Sequence, residues 1–187
     1  MTARLISCVL MLVVFAGAAE AQQRAVVRPP ANPDWAAAGE FGMYRASDPV
    51  DHAGMFGVHY ENYLDARKSA RASFAWMNPH FKNSGDSLRQ TRLGADMVYN
   101  WDRGNERMKP FAGAGAGLYF FKYTPGGRPD LSMSRTRLGL HMGGGAEYFM
   151  TPLMSVKGEM RYHAVGRGDL PWKLSGLDFT VGVKRYF

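Results

Sequence analysis

The sequence predicts an all-β fold: an eight-stranded antiparallel up-and-down transmembrane β-barrel. Apolar and polar residues alternate along much of the chain, and Gly, Pro, Asn and Asp separate the alternating segments. Such alternation is typical of strands, and several segments reach the roughly 9–11 tilted residues that cross a bilayer. The eight predicted strands cover residues 40–46, 55–63, 69–77, 89–101, 111–123, 135–150, 154–165 and 174–187.

The beginning of the chain differs in composition from the rest. Arg4 precedes an apolar run over residues 5–18 that ends at Ala19-Glu20-Ala21, which predicts a cleaved signal peptide. Cys8 lies near the start of this run, whereas a lipoprotein signal has its cysteine after the run, so lipidation is disfavoured. The predicted domains are the signal peptide at residues 1–21, a Pro- and Ala-rich periplasmic lead-in at 22–39 and the barrel at 40–187.

Composition excludes several other classes of protein. With 46% hydrophobic and 13% aromatic residues the chain is not disordered, and after residue 21 it contains no apolar stretch near the roughly 20 residues of a membrane-spanning helix. Cys8 is the only cysteine, so the mature chain is expected to hold no disulfide and no thiolate metal site. The net charge of +7 favours anionic lipid headgroups over nucleic acid as partners of an exported protein.

The connectors between the predicted strands alternate in length. Membrane barrels have long external loops and short periplasmic turns. The predicted outer loops are residues 47–53, 78–87, 124–132 and 166–172, and the predicted inner turns are 64–68, 102–110 and 151–153. The turn at 102–110 is longer than this pattern favours.

The two faces of the predicted strands differ in charge. In the sixth strand Leu138, Leu140 and Met142 share one face, and Arg137 and His141 lie on the other. An eight-stranded barrel is just wide enough to be filled by its own side chains, and buried charges need partners. We therefore expect a salt-bridged interior and no open pore. The predicted interior ion network is Glu40, Glu61, Arg71, Arg92, Asp96, Arg137, Glu147, Lys157, Glu159, Arg161, Asp178 and Lys184.

A soluble barrel that uses the apolar residues to line a ligand cavity is the alternative fold. Strand length favours the membrane barrel, and so do aromatic residues near strand ends, which are typical of interfacial girdles. These aromatic residues are Trp76, Trp101, Tyr123, Phe149 and Trp172. Glycines on the polar face of two strands predict sharp curvature or the close approach of a bulky group. They are Gly113, Gly115, Gly117, Gly143 and Gly145.

Three segments resemble the small outer-membrane β-barrel proteins of Gram-negative bacteria, such as the OmpA transmembrane domain, OmpX and the opacity-type porins. They are PFAGAGAGLYFF at 110–121, MGGGAEYFMTPLMSVKGEMRYH at 142–163 and VGVKRYF at 181–187. The resemblance implies location in the cell outer membrane. It also implies that Phe187, with Phe179, Val181 and Val183, forms the signal read by the barrel-assembly machinery. Family members usually have an aromatic residue at the position of Arg185, and here Tyr186 follows one residue later.

We expect a non-catalytic protein with a structural or surface-interaction role. The alternatives are a lipid A-modifying enzyme of the deacylase type and a narrow channel. A deacylase needs a His, a Ser nucleophile and an orienting acid, yet His163 is followed by Ala164. His141 shares its face with Glu147, which permits a proton relay or a metal site, although membership of the interior network is favoured. No catalytic residue, metal or cofactor is expected.

The expected partners are outer-membrane lipid and lipopolysaccharide, the assembly machinery during insertion, and external ligands of the loops. The barrel is expected to be a monomer that binds no nucleic acid. One predicted loop contains Arg167-Gly168-Asp169, the tripeptide of integrin ligands, which arises readily by chance in a loop of this composition.

Overall fold

The computed structural model describes residues 27, 30, 33–46, 50–81, 85–101, 107–166 and 175–187. Its strands are β1 (Trp35–Ala46), β2 (Ala53–Tyr63), β3 (Lys68–Met77), β4 (Ser87–Asn100), β5 (Met108–Thr124), β6 (Met133–Thr151), β7 (Met154–Val165) and β8 (Gly176–Tyr186). Each strand pairs antiparallel with the next, and β8 pairs with β1, so the sheet closes into a barrel. The fold class predicted from the sequence is confirmed.

The first strand begins at Trp35, five residues before the predicted start at Glu40. Residues 35–39 therefore belong to the barrel and not to a lead-in. The alanines in this segment do not display an apolar–polar alternation, yet Ala36 and Ala38 lie in the interior opposite Tyr186 and Lys184 of β8. Their small size leaves room for these two long side chains. The predicted signal peptide at residues 1–21 and the tripeptide at 167–169 lie outside the described residues.

The connectors at the two ends of the barrel differ in length, as predicted. Residues 47–52, 78–86, 125–132 and 166–175 connect strands at one end, and residues 64–67, 101–107 and 152–153 at the other. The connector after β5 contains two 3₁₀ turns, Pro125–Gly127 and Pro129–Leu131. The first set contains the three longest connectors and marks the external end, and the second set marks the periplasmic end. Residues 101–107 are the exception, since this periplasmic connector is longer than the external connector 47–52.

The periplasmic turn between β2 and β3 is held by Asp65. Its Oδ1 accepts hydrogen bonds from the backbone N–H of Arg67 at 2.7 Å and of Lys68 at 2.8 Å. These two bonds stabilise the ionised carboxylate and hold the pKa of Asp65 below its ordinary value. A local side-chain interaction therefore fixes one of the tight connections of the barrel.

The barrel exposes apolar residues on its outer surface and buries charged ones. Phe41, Leu138 and Met142 are each 65% exposed or more, whereas Lys157 and Lys184 are fully buried. This distribution is the reverse of that in a soluble barrel and matches a barrel surrounded by lipid. Within the described ranges, no helix has the length and hydropathy to cross a membrane.

Two interior glycines stand opposite interior charges. In the strand register Gly145 faces Glu159 and Gly115 faces Asp96. A Cβ at either glycine would collide with a carbonyl oxygen of the neighbouring strand. These positions therefore require glycine because adjacent strands approach closely where the barrel bends around a buried side chain.

We expect Gly145→Ala to lower the free energy of unfolding by about 1–3 kcal/mol, because the added methyl group overpacks the contact between β6 and β7. Gly158→Ala is the matched control, since Gly158 lies on the outer face with nothing within 4 Å of the added carbon. The measurement is urea unfolding in lipid vesicles followed by tryptophan fluorescence. Equal effects of the two substitutions would contradict this account.

Candidate functional site

The polar interior of the barrel is the candidate functional site. All twelve residues of the predicted network occupy inward-facing positions: ten are buried, and Arg137 and Arg161 are half-buried. Ion pairs within the set join at least eleven of the twelve. Arg137 lies nearer the external end of β6, opposite Tyr119 in the strand register.

The periplasmic layer of the interior is organised by Lys184. Its Nζ lies 2.8 Å from Oε2 of Glu61 and 2.7 Å from Oε1 of Glu147. Both carboxylates also accept hydroxyl hydrogen bonds, Glu61 from Ser69 and Glu147 from Tyr186. One ammonium group thus joins two buried carboxylates, and the hydroxyl groups satisfy part of their remaining hydrogen-bonding capacity.

The middle layer is organised by Glu159, which contacts three cations. Nη1 of Arg71 lies 3.0 Å from Oε2 and 3.1 Å from Oε1, Nζ of Lys157 lies 2.7 Å from Oε2, and Nη2 of Arg161 lies 2.7 Å from Oε1. Nζ of Lys157 also lies 3.0 Å from Oε2 of Glu40. Lys157 is on β7 and Glu40 is on β1, the two strands that flank β8. The layer thus ties β1, β3 and β7 together across the lumen.

The external layer is a chain of hydrogen bonds through two histidines. The hydroxyl of Tyr119 lies 3.2 Å from Nδ1 of His141 and 2.8 Å from Nδ1 of His163. Nε2 of His141 lies 2.5 Å from Oδ1 of Asp96, and Nη1 of Arg92 lies 2.7 Å from Nε2 of His163. Donation in one direction satisfies every one of these contacts. It runs from Arg92 to His163, then to Tyr119, to His141 and finally to Asp96.

The same chain neutralises Asp178. Its Oδ2 lies 2.8 Å from Nη2 of Arg92 and 2.8 Å from Nε2 of His163. In the direction of donation given above, Nε2 of His163 accepts from Arg92 and does not donate to Asp178, so Nη2 of Arg92 is the donor whose positive charge compensates Asp178. The histidines therefore connect the charges of opposite barrel walls and occupy the space between them.

Several interior residues were not identified from the sequence. Tyr119, His59 and Lys109 are buried in the interior, and Lys109 stands opposite Glu147 in the strand register. The predicted fifth strand began at Phe111, so the alternation that places Lys109 inside was not followed far enough. The role of Tyr119 depends on contacts across the lumen, which no local pattern reveals.

The lumen is filled between its two ends. The void lined by Arg92, His141 and His163 has a volume of about 20 Å³, room for roughly one water molecule. Apolar clusters lie at both ends of the polar layers. The external cluster contains Val50, Phe81, Leu88, Tyr119, Phe121 and Val165, and the periplasmic cluster contains Ala36, Phe149 and Tyr186.

The predicted aromatic girdles are only partly formed by the residues named from the sequence. Trp76 and Trp101 are exposed on the outer face. Phe149 is fully buried in the interior, so its assignment to a girdle was wrong: the strand alternation turns it inward, beside Tyr186. Tyr123 is half-buried and packs edge-on against Phe81, and Trp172 lies outside the described residues.

The four residues of the predicted assembly signal lie on the outer face of β8 and just after it. Phe179, Val181, Val183 and Phe187 are between 46% and 49% exposed. Phe187 stacks on Trp35, with ring centroids 3.9 Å apart, and its N–H donates to the Trp35 carbonyl at 3.0 Å. This contact connects the ends of β1 and β8 at the periplasmic side.

The interior side chains neutralise one another's charges and fill space. Among the described residues, no three His, Cys, Asp or Glu side chains converge so as to hold a metal ion. His163 contacts Tyr119, Arg92 and Asp178. Its imidazole points into the lumen, away from the surrounding lipid.

A closed antiparallel barrel with an apolar exterior and an ion-paired interior defines an integral membrane β-barrel protein. Residues 6–187 match the family model described as outer membrane protein beta-barrel domain, and the chain belongs to this family. The resemblance found in the sequence is thereby confirmed, and the protein is located in the outer membrane. A sequence comparison with curated proteins finds no match.

Solved structures with the same fold come from several bacteria. Neisserial surface protein A (NspA) has a TM-score of 0.68 at 17% identity, covering 82% of this chain and 96% of NspA. The outer membrane protein OprG of Pseudomonas aeruginosa has a TM-score of 0.66 at 13% identity, with 86% and 99% covered. Ail, the attachment invasion locus protein of Yersinia pestis, has a TM-score of 0.59 at 16% identity, with 83% and 99% covered.

We expect Lys184→Met to lower the free energy of unfolding by about 3–5 kcal/mol, because it leaves Glu61 and Glu147 buried without their shared cation. Adding Glu61→Gln to this variant should restore part of the loss. Lys68→Met is the matched control, since Lys68 is exposed at the start of β3, and it should change the value by less than about 0.5 kcal/mol. Urea unfolding in lipid vesicles provides the comparison, and similar losses for Lys184→Met and Lys68→Met would refute the proposed ion network.

Proposed function

We propose that the protein is a non-catalytic barrel of the outer membrane with a structural and surface-contact role. The observation that carries this proposal is the ion-paired interior. Lys184, Glu159 and Arg92 each join several interior groups, and the layers leave little free volume between them. An interior of this kind stabilises the barrel and presents the outer face and the loops as the surfaces available to partners.

A channel is disfavoured by the same interior. An ion that crossed the barrel would have to displace the three cations around Glu159 and pass the chain from Arg92 to Asp96. Breaking a buried pair costs about 3–5 kcal/mol per pair. The barrier to conduction is therefore built from several such costs in series.

A lipid A-modifying enzyme is disfavoured by the position of the histidines. His163 has an acid partner in Asp178, but both side chains are buried in the lumen among interior cations. A lipid substrate would approach from the outer face, where the strand residues next to His163 are Tyr162 and Ala164. A deacylase needs a nucleophile within hydrogen-bonding reach of its histidine at the surface where the substrate lies.

The proposed partners follow from the two available surfaces. The exposed apolar belt contacts the acyl chains of outer-membrane lipid and lipopolysaccharide, and the external loops contact ligands outside the cell. During insertion the outer face of β8, with Phe179, Val181, Val183 and Phe187, is proposed to contact the barrel-assembly machinery. The monomer is the proposed working form.

We expect the purified protein to give no steady ion current in planar bilayers, and its expression to leave the lipid A of the host unchanged. Mass spectra of lipid A from cells with and without the protein provide the second measurement. Insertion is checked by heat-modifiable migration of the reconstituted protein on gels, which a closed barrel should show. A steady current would establish the channel, and a shortened or altered lipid A would establish the enzyme.

We expect Phe187→Ala to reduce the folded, heat-modifiable protein in the outer membrane by about threefold or more, because a large aromatic ring on β8 is proposed to be recognised during assembly. Trp35→Ala is the control, since it removes the stack with Phe187 and leaves β8 intact. It should retain near-normal assembly. Equal losses in both variants would show that the stack, and not recognition of Phe187, is what assembly requires.

A further inference from the structure

The charged residues of the strands are divided by sign between the two faces. Within the described strands, every Asp and Glu side chain faces the lumen, and every charge on an outward-facing position is Lys or Arg. The outward-facing cations are Arg45, Arg89 and Lys122 at the external end and Lys68 and Arg185 at the periplasmic end. The membrane-facing surface thus presents cations at both boundaries.

Arg89 and Lys122 form a pair of like charges. They stand directly opposite each other in the register of β4 and β5, and both are exposed. Like charges at directly opposite positions of an antiparallel pair destabilise the sheet. In the described part of the chain neither side chain makes an ion pair. An external anion would turn this repulsion into attraction.

The nearby carboxylate of Asp86 is oriented towards the loop after β5. Its Oδ1 accepts a hydrogen bond from the N–H of Gly126 at 2.6 Å, and its Oδ2 accepts one from the hydroxyl of Tyr123 at 2.8 Å. Ser134 of β6 lies opposite Lys122 on the other side of β5 and adds a hydroxyl group at the same level. This level of the outer face therefore offers two cations and a hydroxyl.

On the periplasmic side of the cation pair, the outer surface becomes progressively more apolar. The next outward-facing row contains Thr91, Phe120 and Thr136, and the row after it contains Leu93, Leu118 and Leu138. The surface changes from cationic to apolar over these rows, as the environment does between a lipid headgroup and its acyl chains. The pair is thus positioned at the headgroup level of the outer leaflet.

Below these rows the outward-facing side chains of β5 are small. Its outward-facing residues Ala112, Ala114 and Ala116 are small, and Met97 of β4 and Met142 of β6 flank Ala114 in the register. Both methionines are more than half exposed and project from the surface. This row of alanines runs along the strand that carries Lys122, so an acyl chain lying over it would begin beneath the cation pair.

We propose that this face of β4, β5 and β6 binds one molecule of lipid A, the phosphorylated glycolipid anchor of lipopolysaccharide. Arg89 and Lys122 hold a phosphate, and an acyl chain lies along Ala116, Ala114 and Ala112. A phosphate carries nearly two negative charges and accepts charge-assisted hydrogen bonds from both side chains. Lipid A is the proposed ligand because the pair lies at the external end, where lipopolysaccharide forms the outer leaflet. This site specifies the contact with lipopolysaccharide that is proposed above, and it rests on that proposed function.

The test is titration of the detergent-solubilised, folded protein with lipid A, with bound molecules counted by native mass spectrometry. Arg89→Gln/Lys122→Gln is expected to raise the Kd by about tenfold or more. The matched control is Arg45→Gln/Arg185→Gln, which removes two outward-facing cations that do not stand opposite each other, and it should change the Kd by less than about twofold. Equal losses in the two double variants would overturn the proposal, because they would reveal attraction by overall charge.

The ligand series separates phosphate recognition from general lipid binding. Lipid A without its phosphates and phosphatidylglycerol are both expected to bind at least about tenfold more weakly than bisphosphorylated lipid A. Equal binding of phosphatidylglycerol would overturn the choice of lipid A, and equal binding of the dephosphorylated form would overturn the role of the cation pair.

Folding provides an independent readout. In detergent without lipid A, Arg89→Gln/Lys122→Gln should be as resistant to urea as the wild type or more so, because it removes a repulsion. Adding lipid A should stabilise the wild type and the control more than this variant. Loss of the site would leave the non-catalytic proposal intact, whereas an ion current or an altered lipid A would refute that proposal without affecting the binding result.

Discussion

The contact of Glu159 with three cations is the interaction on which the rest of the barrel depends. An eight-stranded barrel in a membrane has its polar residues inside, and the lumen is too narrow for water to solvate them. Each charge must therefore be compensated by another side chain. Glu159 connects Arg71, Lys157 and Arg161, and through Lys157 it reaches Glu40 on the first strand. The network fills the lumen and also connects strands on different sides of it.

The backbone is adapted to these charges. Gly145 and Gly115 stand opposite Glu159 and Asp96, so the strands approach closely at two positions where a charged side chain needs space in the lumen. Glycine is a poor strand residue in isolation, and its use here is explained by its neighbour across the ladder. The electrostatic pattern and the curvature of the sheet are therefore related, because at these positions a charged residue on one strand is paired with the smallest residue on the next.

Much of this architecture could be predicted because alternation assigns each strand residue to a face without knowledge of its partners. Once the faces are assigned, the sequence itself shows which interior positions carry a positive charge, a negative charge or a small side chain. Alternation did not predict the starts of two strands. After Trp35 a run of alanines hides the alternation, and Lys109 follows directly on a polar connector. Alternation also could not show that Tyr119 links two histidines, since that contact joins strands far apart in the chain through the lumen. The choice of partners across the interior depends on barrel diameter and stagger, which no single segment encodes.

The pairing of β1 with β8 affects the order in which the barrel is completed. It places Ala36 beside Tyr186, whereas every other ladder joins consecutive strands. Until β8 arrives, β1 has an open edge whose N–H and C=O groups could pair with another chain, and apolar groups of the growing sheet are exposed to water. The loop closed by this last ladder is also the longest, so its entropic cost is the largest. Closure is thus the step most exposed to competing association, and the interior charges can find all their partners only when it is complete.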